Sequence, residues 1–170
     1  MGSNIIKINI GDVLHSGADI IVLSANPSLL AGSGISGVMH KAAGYELEKA
    51  AKSLGPLKVG EAAITPAFNL SAQYVVHAVC PRYMDGLRGE KELLAAAYRS
   101  ALGFHDQVAD VSSISFVSMG TGVYKWPVEL AAKIAVEELT KSKFEITSMC
   151  VVDDETRAIY QRAYDTLVVA

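Results

Sequence analysis

Cysteine, proline, aromatic residues and basic charge are all scarce in this chain of 170 residues. Cys80 and Cys150 are the only two cysteines, each in an apolar segment, so small buried hydrophobes in a reducing compartment fit better than a disulfide. Four scattered histidines and these two thiols have no metal-like spacing, so neither a metal nor a cofactor is expected. A net charge of −3 offers no electrostatic footprint for duplex nucleic acid, and no basic aromatic face supports a single-stranded RNA role. Long hydrophobic runs are missing too: Ile20-Ile21-Val22-Leu23 is far too short to cross a bilayer, so no membrane partner is expected. Met1-Gly2-Ser3-Asn4 leads straight into strand-like sequence without an export signal, and Ile6 stands where a myristoylation motif needs Ser or Thr. The expectation is a cytoplasmic protein.

What the chain does have is a hydrophobic fraction of 51%, enough for one domain with a well-buried sheet. Strand and helix patterns alternate along it. Asn4 to Ile10 alternates apolar and polar, with Ile6, Ile8 and Ile10 on one face. Asp19 to Ser24 is continuously apolar in its middle, as a strand covered on both faces would be. A helix is expected from Ile35, interrupted at Gly44, resumed over Tyr45 to Leu54 and stopped by Gly55-Pro56. Strands follow at Glu61 to Thr65, Tyr74 to Val79, Ser113 to Ser118 and Ile146 to Val152. Helices are expected at Glu90 to Val108, from Pro127 at the first helical position to Leu139, and at Asp154 to Leu167. One α/β domain with helices on both faces of a central sheet is the predicted architecture.

Two strand-to-helix connections are rich in glycine: Ala31-Gly32-Ser33-Gly34-Ile35-Ser36-Gly37 and Gly120-Thr121-Gly122-Val123. Without a Cβ the backbone approaches a ligand closely, and helix-start N–H groups point at negative charge. Two such loops suggest a diphosphate held from both sides. No GxxxxGK[ST] string is present. Gly32-Ser33-Gly34-Ile35-Ser36-Gly37 spells GxGxxG, but about nine residues beyond the strand, where a dinucleotide fold would place it almost directly after.

Seven motifs in register make the chain resemble a macro domain of the MacroD-type group that binds ADP-ribose. They are Gly11-Asp12-Val13, Ile21-Val22-Leu23-Ser24-Ala25-Asn26, Leu29 to Gly37, His40-Lys41-Ala42-Ala43-Gly44, Gly60-Glu61-Ala62, Tyr74 to Pro81 and Gly120 to Pro127. The resemblance runs from Ile8 to about Tyr160 and implies a three-layer α/β/α fold around a mixed, mostly parallel sheet. It implies that Asp12 accepts a hydrogen bond from adenine with the Val13 backbone nearby, a role that competes with simple helix capping. Gly32, Ser33, Gly34 and Ile35 would line one side of the diphosphate and distal ribose. Gly120, Thr121, Gly122, Val123 and Tyr124 would close the other side, with Asn26 addressing the distal ribose hydroxyls.

The departures from the pattern fall at the reactive end. Leu23 stands where the family has its first motif Asn, and Ser36 where it has an Asp implicated in activating or positioning water. Serine is no carboxylate base, although it can hydrogen-bond a water. Ser33 and Lys125 replace glycines, and Val152 falls near the adenine-stacking aromatic. His40 and His77 are expected to be structural. Two functions follow from the resemblance. One is a module binding ADP-ribose or a derivative, free or on a protein. The alternative is a hydrolase removing an acyl, phosphate or Asp/Glu-linked protein group from the distal ribose, with Asn26 orienting the sugar and Ser36 holding water. Leu23 and Ser36 favour the first.

Overall fold

The computed structural model describes residues 4–30, 34–121 and 124–169. β1 spans Ile5–Ile10, β2 Ile20–Ala25, β3 Ala62–Pro66, β4 Tyr74–Val79, β5 Ser113–Val117 and β6 Ile146–Val151. They form one sheet in the order β1-β6-β5-β2-β4-β3. Every neighbouring pair is parallel except β3 with β4. α1 (Gly34–Ala43) and α2 (Tyr45–Lys52) follow β2; α3 (Glu90–Leu102), α4 (Val128–Leu139) and α5 (Asp154–Val169) follow β4, β5 and β6.

The apolar run of β2 shows how the layers form. Its alternate side chains enter two separate cores, because successive residues of a strand point to opposite faces. Ile20 and Val22 join Leu94 and Tyr98 of α3, Ala131 and Ala135 of α4 and Tyr160 of α5. Ile21 and Leu23 join Met39 of α1 and Leu47 and Ala51 of α2. The helices therefore lie in two layers around a central, mixed, mostly parallel sheet, as expected. Cys80 and Cys150 are both buried and free, and they belong to opposite cores, which keeps their thiols apart. Among the described residues no helix is long and apolar enough to cross a membrane.

Several boundaries differ from the sequence expectation. α3 ends at Leu102 instead of Val108, continuing as a 3-10 turn over Gly103–Asp106 that buries Phe104. Apolar spacing hardly separates a three-residue from a 3.6-residue repeat over one turn, so the pattern runs on past the α-helix. Pro127 caps α4 with extended backbone (ψ 129°) and does not occupy its first turn. Ile10 shares the face of Ile6 and Ile8 but is 45% exposed, since β1 is an edge strand. Gly44 does interrupt the helix, at φ 99°, and α2 restarts directly after it.

Candidate functional site

Strand order places the site. After β2 the chain enters the layer of α1 and α2, whereas after β5 it enters the layer of α4. β2 and β5 are adjacent and parallel, and the helices that follow them lie on opposite faces, so the carboxyl ends of the two strands form a topological switch point. Open α/β sheets bind ligands at such a switch point. Both glycine loops leave from it. Gly32, Ser33, Gly122 and Val123 lie outside the described residues, while Gly34, Ile35 and Ser36 form the first turn of α1. That turn carries no acidic residue, in contrast to α2 with Glu46 and Glu48 and α3 with Glu90 and Glu92. Its N–H groups and the helix dipole thus meet no acidic side chain in that turn, which suits an anion.

The loop after β5 is held by side chains from two helices. The Met119 N–H donates to Tyr98 Oη of α3 (3.2 Å), and Ser118 Oγ bonds Tyr160 Oη of α5. Burial pushes the Tyr160 hydroxyl up to about 12, so it stays protonated and serves as a neutral anchor. Thr121 Oγ1 donates to the Ser118 carbonyl (3.1 Å). Gly120 has φ +88°, and a Cβ there would sit 2.6 Å from Trp126 Cδ1, so this glycine is required both by its backbone and by its neighbour. Trp126 closes the turn, its backbone N–H donating to the Gly120 carbonyl (3.0 Å) and its indole N–H to the Pro81 carbonyl (2.9 Å). None of Ser118, Tyr98 and Tyr160 was singled out from sequence. Two helical tyrosines in apolar faces read as ordinary core, and only the fold brings both hydroxyls to one loop.

The loop after β2 is organised by Asn26. Its Nδ2 donates to the Leu30 carbonyl (3.0 Å) and its Oδ1 accepts from Ser28 Oγ (2.6 Å). The amide thus performs the turn role open to any Asn after a strand, yet one Nδ2 hydrogen and one Oδ1 lone pair remain for a ligand. Leu23, in place of the family's Asn, is fully buried in the core beneath α1 and offers nothing polar.

At the β1–β6 side, the Gly11 N–H donates to the Val151 carbonyl (3.0 Å), which brings Asp12 and Val13 next to Val152. Asp12 Oδ1 caps a 3-10 turn by accepting from the Leu14 N–H (3.0 Å), and Oδ2 lies 3.1 Å from His15 Nδ1. Capping uses only part of the carboxylate's capacity. The Val13 side chain is buried, so only its backbone can face a ligand, whereas Val152 is 85% exposed.

Tyr124 is half-buried on the rim, with the Arg82 guanidinium 5.4 Å above its ring. Lys125 is exposed and holds φ +62°, the left-handed conformation that a glycine would adopt without strain. His40 of α1 and His77 of β4 are both buried, with ring centroids 6.0 Å apart. His77 Nε2 pairs with Thr65 Oγ1 at 3.0 Å. Burial, reinforced by His40, lowers the His77 imidazole to about 3, which fits a neutral core residue. Among the described residues no group of three or more His, Cys, Asp or Glu is arranged to hold a metal ion.

A three-layer arrangement of helices around a mixed, mostly parallel sheet, with a switch point between β2 and β5, defines the class as α/β/α. The macro domain family profile matches residues 22–135 of the chain, and the chain belongs to that family. It is 39% identical over 167 residues to a macro domain-containing protein of Mesorhizobium japonicum, spanning 95% of this chain and 94% of the relative. Among solved structures it is similar to the Oceanobacillus iheyensis macrodomain with ADP (TM-score 0.89, 34% identity, 99% of this chain and 96% of the other). A Trypanosoma brucei macrodomain in complex with ADP-ribose is also similar (TM-score 0.83, 27% identity, 92% and 68% covered).

Proposed function

We propose that the crevice between β2 and β5 binds ADP-ribose or a derivative of it, free or protein-linked. The observation that carries this is the divergence of two glycine loops from adjacent parallel strands, one ending in the uncompensated first turn of α1. The diphosphate lies between Gly32 to Ile35 and Gly120 to Val123. Adenine lies toward Asp12, Val13 and the exposed Val152, and the distal ribose toward Asn26 and Tyr124. The related macrodomains solved with ADP and ADP-ribose support the same ligand class.

Binding is favoured over turnover because Leu23 is buried and apolar where the family has an amide, and because Ser36, no carboxylate base, stands where the family has an Asp. In the hydrolytic alternative Asn26 orients the ribose and Ser36 holds a water. Calorimetric titration with ADP-ribose, using AMP and NAD as controls, tests the assignment. Selective binding of ADP-ribose at micromolar concentration is expected in the wild type. Loss of that binding is expected in Gly34→Glu, which sets a carboxylate and a bulky side chain at the start of α1. Unchanged affinity in a folded Gly34→Glu protein refutes the location. Release of the 2″- or 3″-linked group from O-acetyl-ADP-ribose would establish the hydrolytic alternative.

A further inference from the structure

The loop from Pro81 to Gly89 is a fixed rim of the crevice. Its first residues are stitched to the second glycine loop: the Tyr83 N–H donates to the Tyr124 carbonyl (3.0 Å), Pro81 accepts from the Trp126 indole, and Arg82 stacks over Tyr124. Its tip is held from inside by one buried carboxylate. Glu90 accepts from the backbone N–H groups of Met84 (2.7 Å), Asp85 (3.2 Å) and Arg88 (2.7 Å). Burial pushes that carboxyl up, but backbone hydrogen bonds from Arg88, Met84, Gly86 and Asp85 outweigh it and bring it down to about 2. The loop is therefore held at both its start and its tip by contacts within the chain.

What this rigid loop displays is apolar and cationic. Leu87 is 85% exposed and Met84 63% exposed, large side chains that a fixed loop holds in water. Arg82, Arg88, Lys91 and Lys125 surround them, all exposed, with the Lys91 stem lying near Gly86. Against them stand Asp85, paired with Arg88 at 3.4 Å, Glu92, paired with the likewise exposed Arg99 at 3.3 Å, and the inward-facing Glu90, so cations outnumber carboxylates among the described residues of the rim. A net positive rim on a chain of net charge −3 is a local reversal of sign. Such a rim steers an acidic partner toward it.

We propose that this rim docks the polypeptide that carries the ADP-ribose, and that it selects acidic segments with an apolar residue flanking the modified side chain. The proposal rests on the ADP-ribose assignment above, because the rim adjoins the distal-ribose end at Tyr124. Exposed Leu87 and Met84, aliphatic and not aromatic, suit peptide side chains better than nucleic-acid bases, which bind by stacking on aromatic rings.

The test compares four ligands by calorimetry or polarisation at low salt: free ADP-ribose, a mono-ADP-ribosylated peptide flanked by Asp, Glu and Leu, its Lys-flanked counterpart, and an ADP-ribosylated oligonucleotide. Each exposed ion pair contributes a factor of about two to five, so a preference of about tenfold for the acidic peptide over the Lys-flanked one is expected, shrinking with added salt. In the double variant Leu87→Asp, Lys91→Glu that preference disappears while affinity for free ADP-ribose stays within about twofold. Equal affinity for the two peptides in the wild type overturns the proposal, as does preference for the oligonucleotide. So does an equal loss of free and peptide-linked ligand in the variant, which would make the loop part of the nucleotide site. Failure of the wild type to bind free ADP-ribose is a separate result: it refutes the ligand assignment, and the docking proposal falls with it.

Discussion

Gly120→Ala is the sharpest single perturbation of the second glycine loop. Two terms oppose it. An alanine at φ +88° costs about 1–2 kcal/mol in the left-handed region. Its Cβ would also lie 2.6 Å from Trp126 Cδ1, with Cγ and Nε1 at 3.1 Å, so the indole must move. That ring is buried and tied to the Pro81 carbonyl, and overpacking of this kind costs about 1–3 kcal/mol more. Gly17→Ala isolates the first term, since Gly17 has φ +77° and nothing within 4 Å of its would-be Cβ. The small gain from stiffening the unfolded chain is common to both variants and cancels in their difference. Gly120→Ala should therefore be less stable than Gly17→Ala by about 1–3 kcal/mol in urea unfolding. Trp126 is the only tryptophan, so its fluorescence reads the same contact directly. The native emission should change in Gly120→Ala and not in Gly17→Ala. Equal destabilisation of the two variants with unchanged emission would show that the Gly120–Trp126 contact is not what fixes this loop.

Two further outcomes follow from buried ionisable groups. His77 has its pKa lowered from 6.5 to about 3, so between those values the unfolded chain binds a proton there that the native chain does not. Stability is then fully present above about pH 6.5 and falls with acid, by at most about 1.4 kcal/mol per pH unit from this group. His40, lowered by burial against the opposing charge of Glu48, acts in the same direction. Urea midpoints at pH 7.5 and 4.5 should differ more for the wild type than for His77→Gln, and identical pH profiles would contradict this. Glu90→Gln leaves one carbonyl oxygen where two carboxylate oxygens accept from the 84–88 backbone. Faster amide exchange at Met84, Asp85 and Arg88 is expected, and unchanged exchange would mean that the loop is held by something else.

The sequence by itself determined the layers. Six strands, the interruption at Gly44 and the helices around them were legible because burial on one or two faces imprints a period on local sequence. Glycine loops after Ala25 and Val117 were legible for the same reason, since backbone demands select residue type locally. Seven ordered motifs carried the family, and the matching relatives agree with it. What only the tertiary structure decided is which distant residues meet. Strand order put β2 beside β5, pairing Ile20 with Ile114, and so brought the starts of two separate loops to one switch point. Tyr98 and Tyr160 converge on the loop after β5, Trp126 reaches back to Pro81, and Glu90 turns inward beneath Met84 and Arg88. None of these pairings leaves a periodic trace, because a hydrogen bond between segments constrains two residues and not the pattern around either. Leu23 shows both levels together: its identity was plain as a departure from the motif, but only packing against α1 showed that it fills core and cannot serve a ligand.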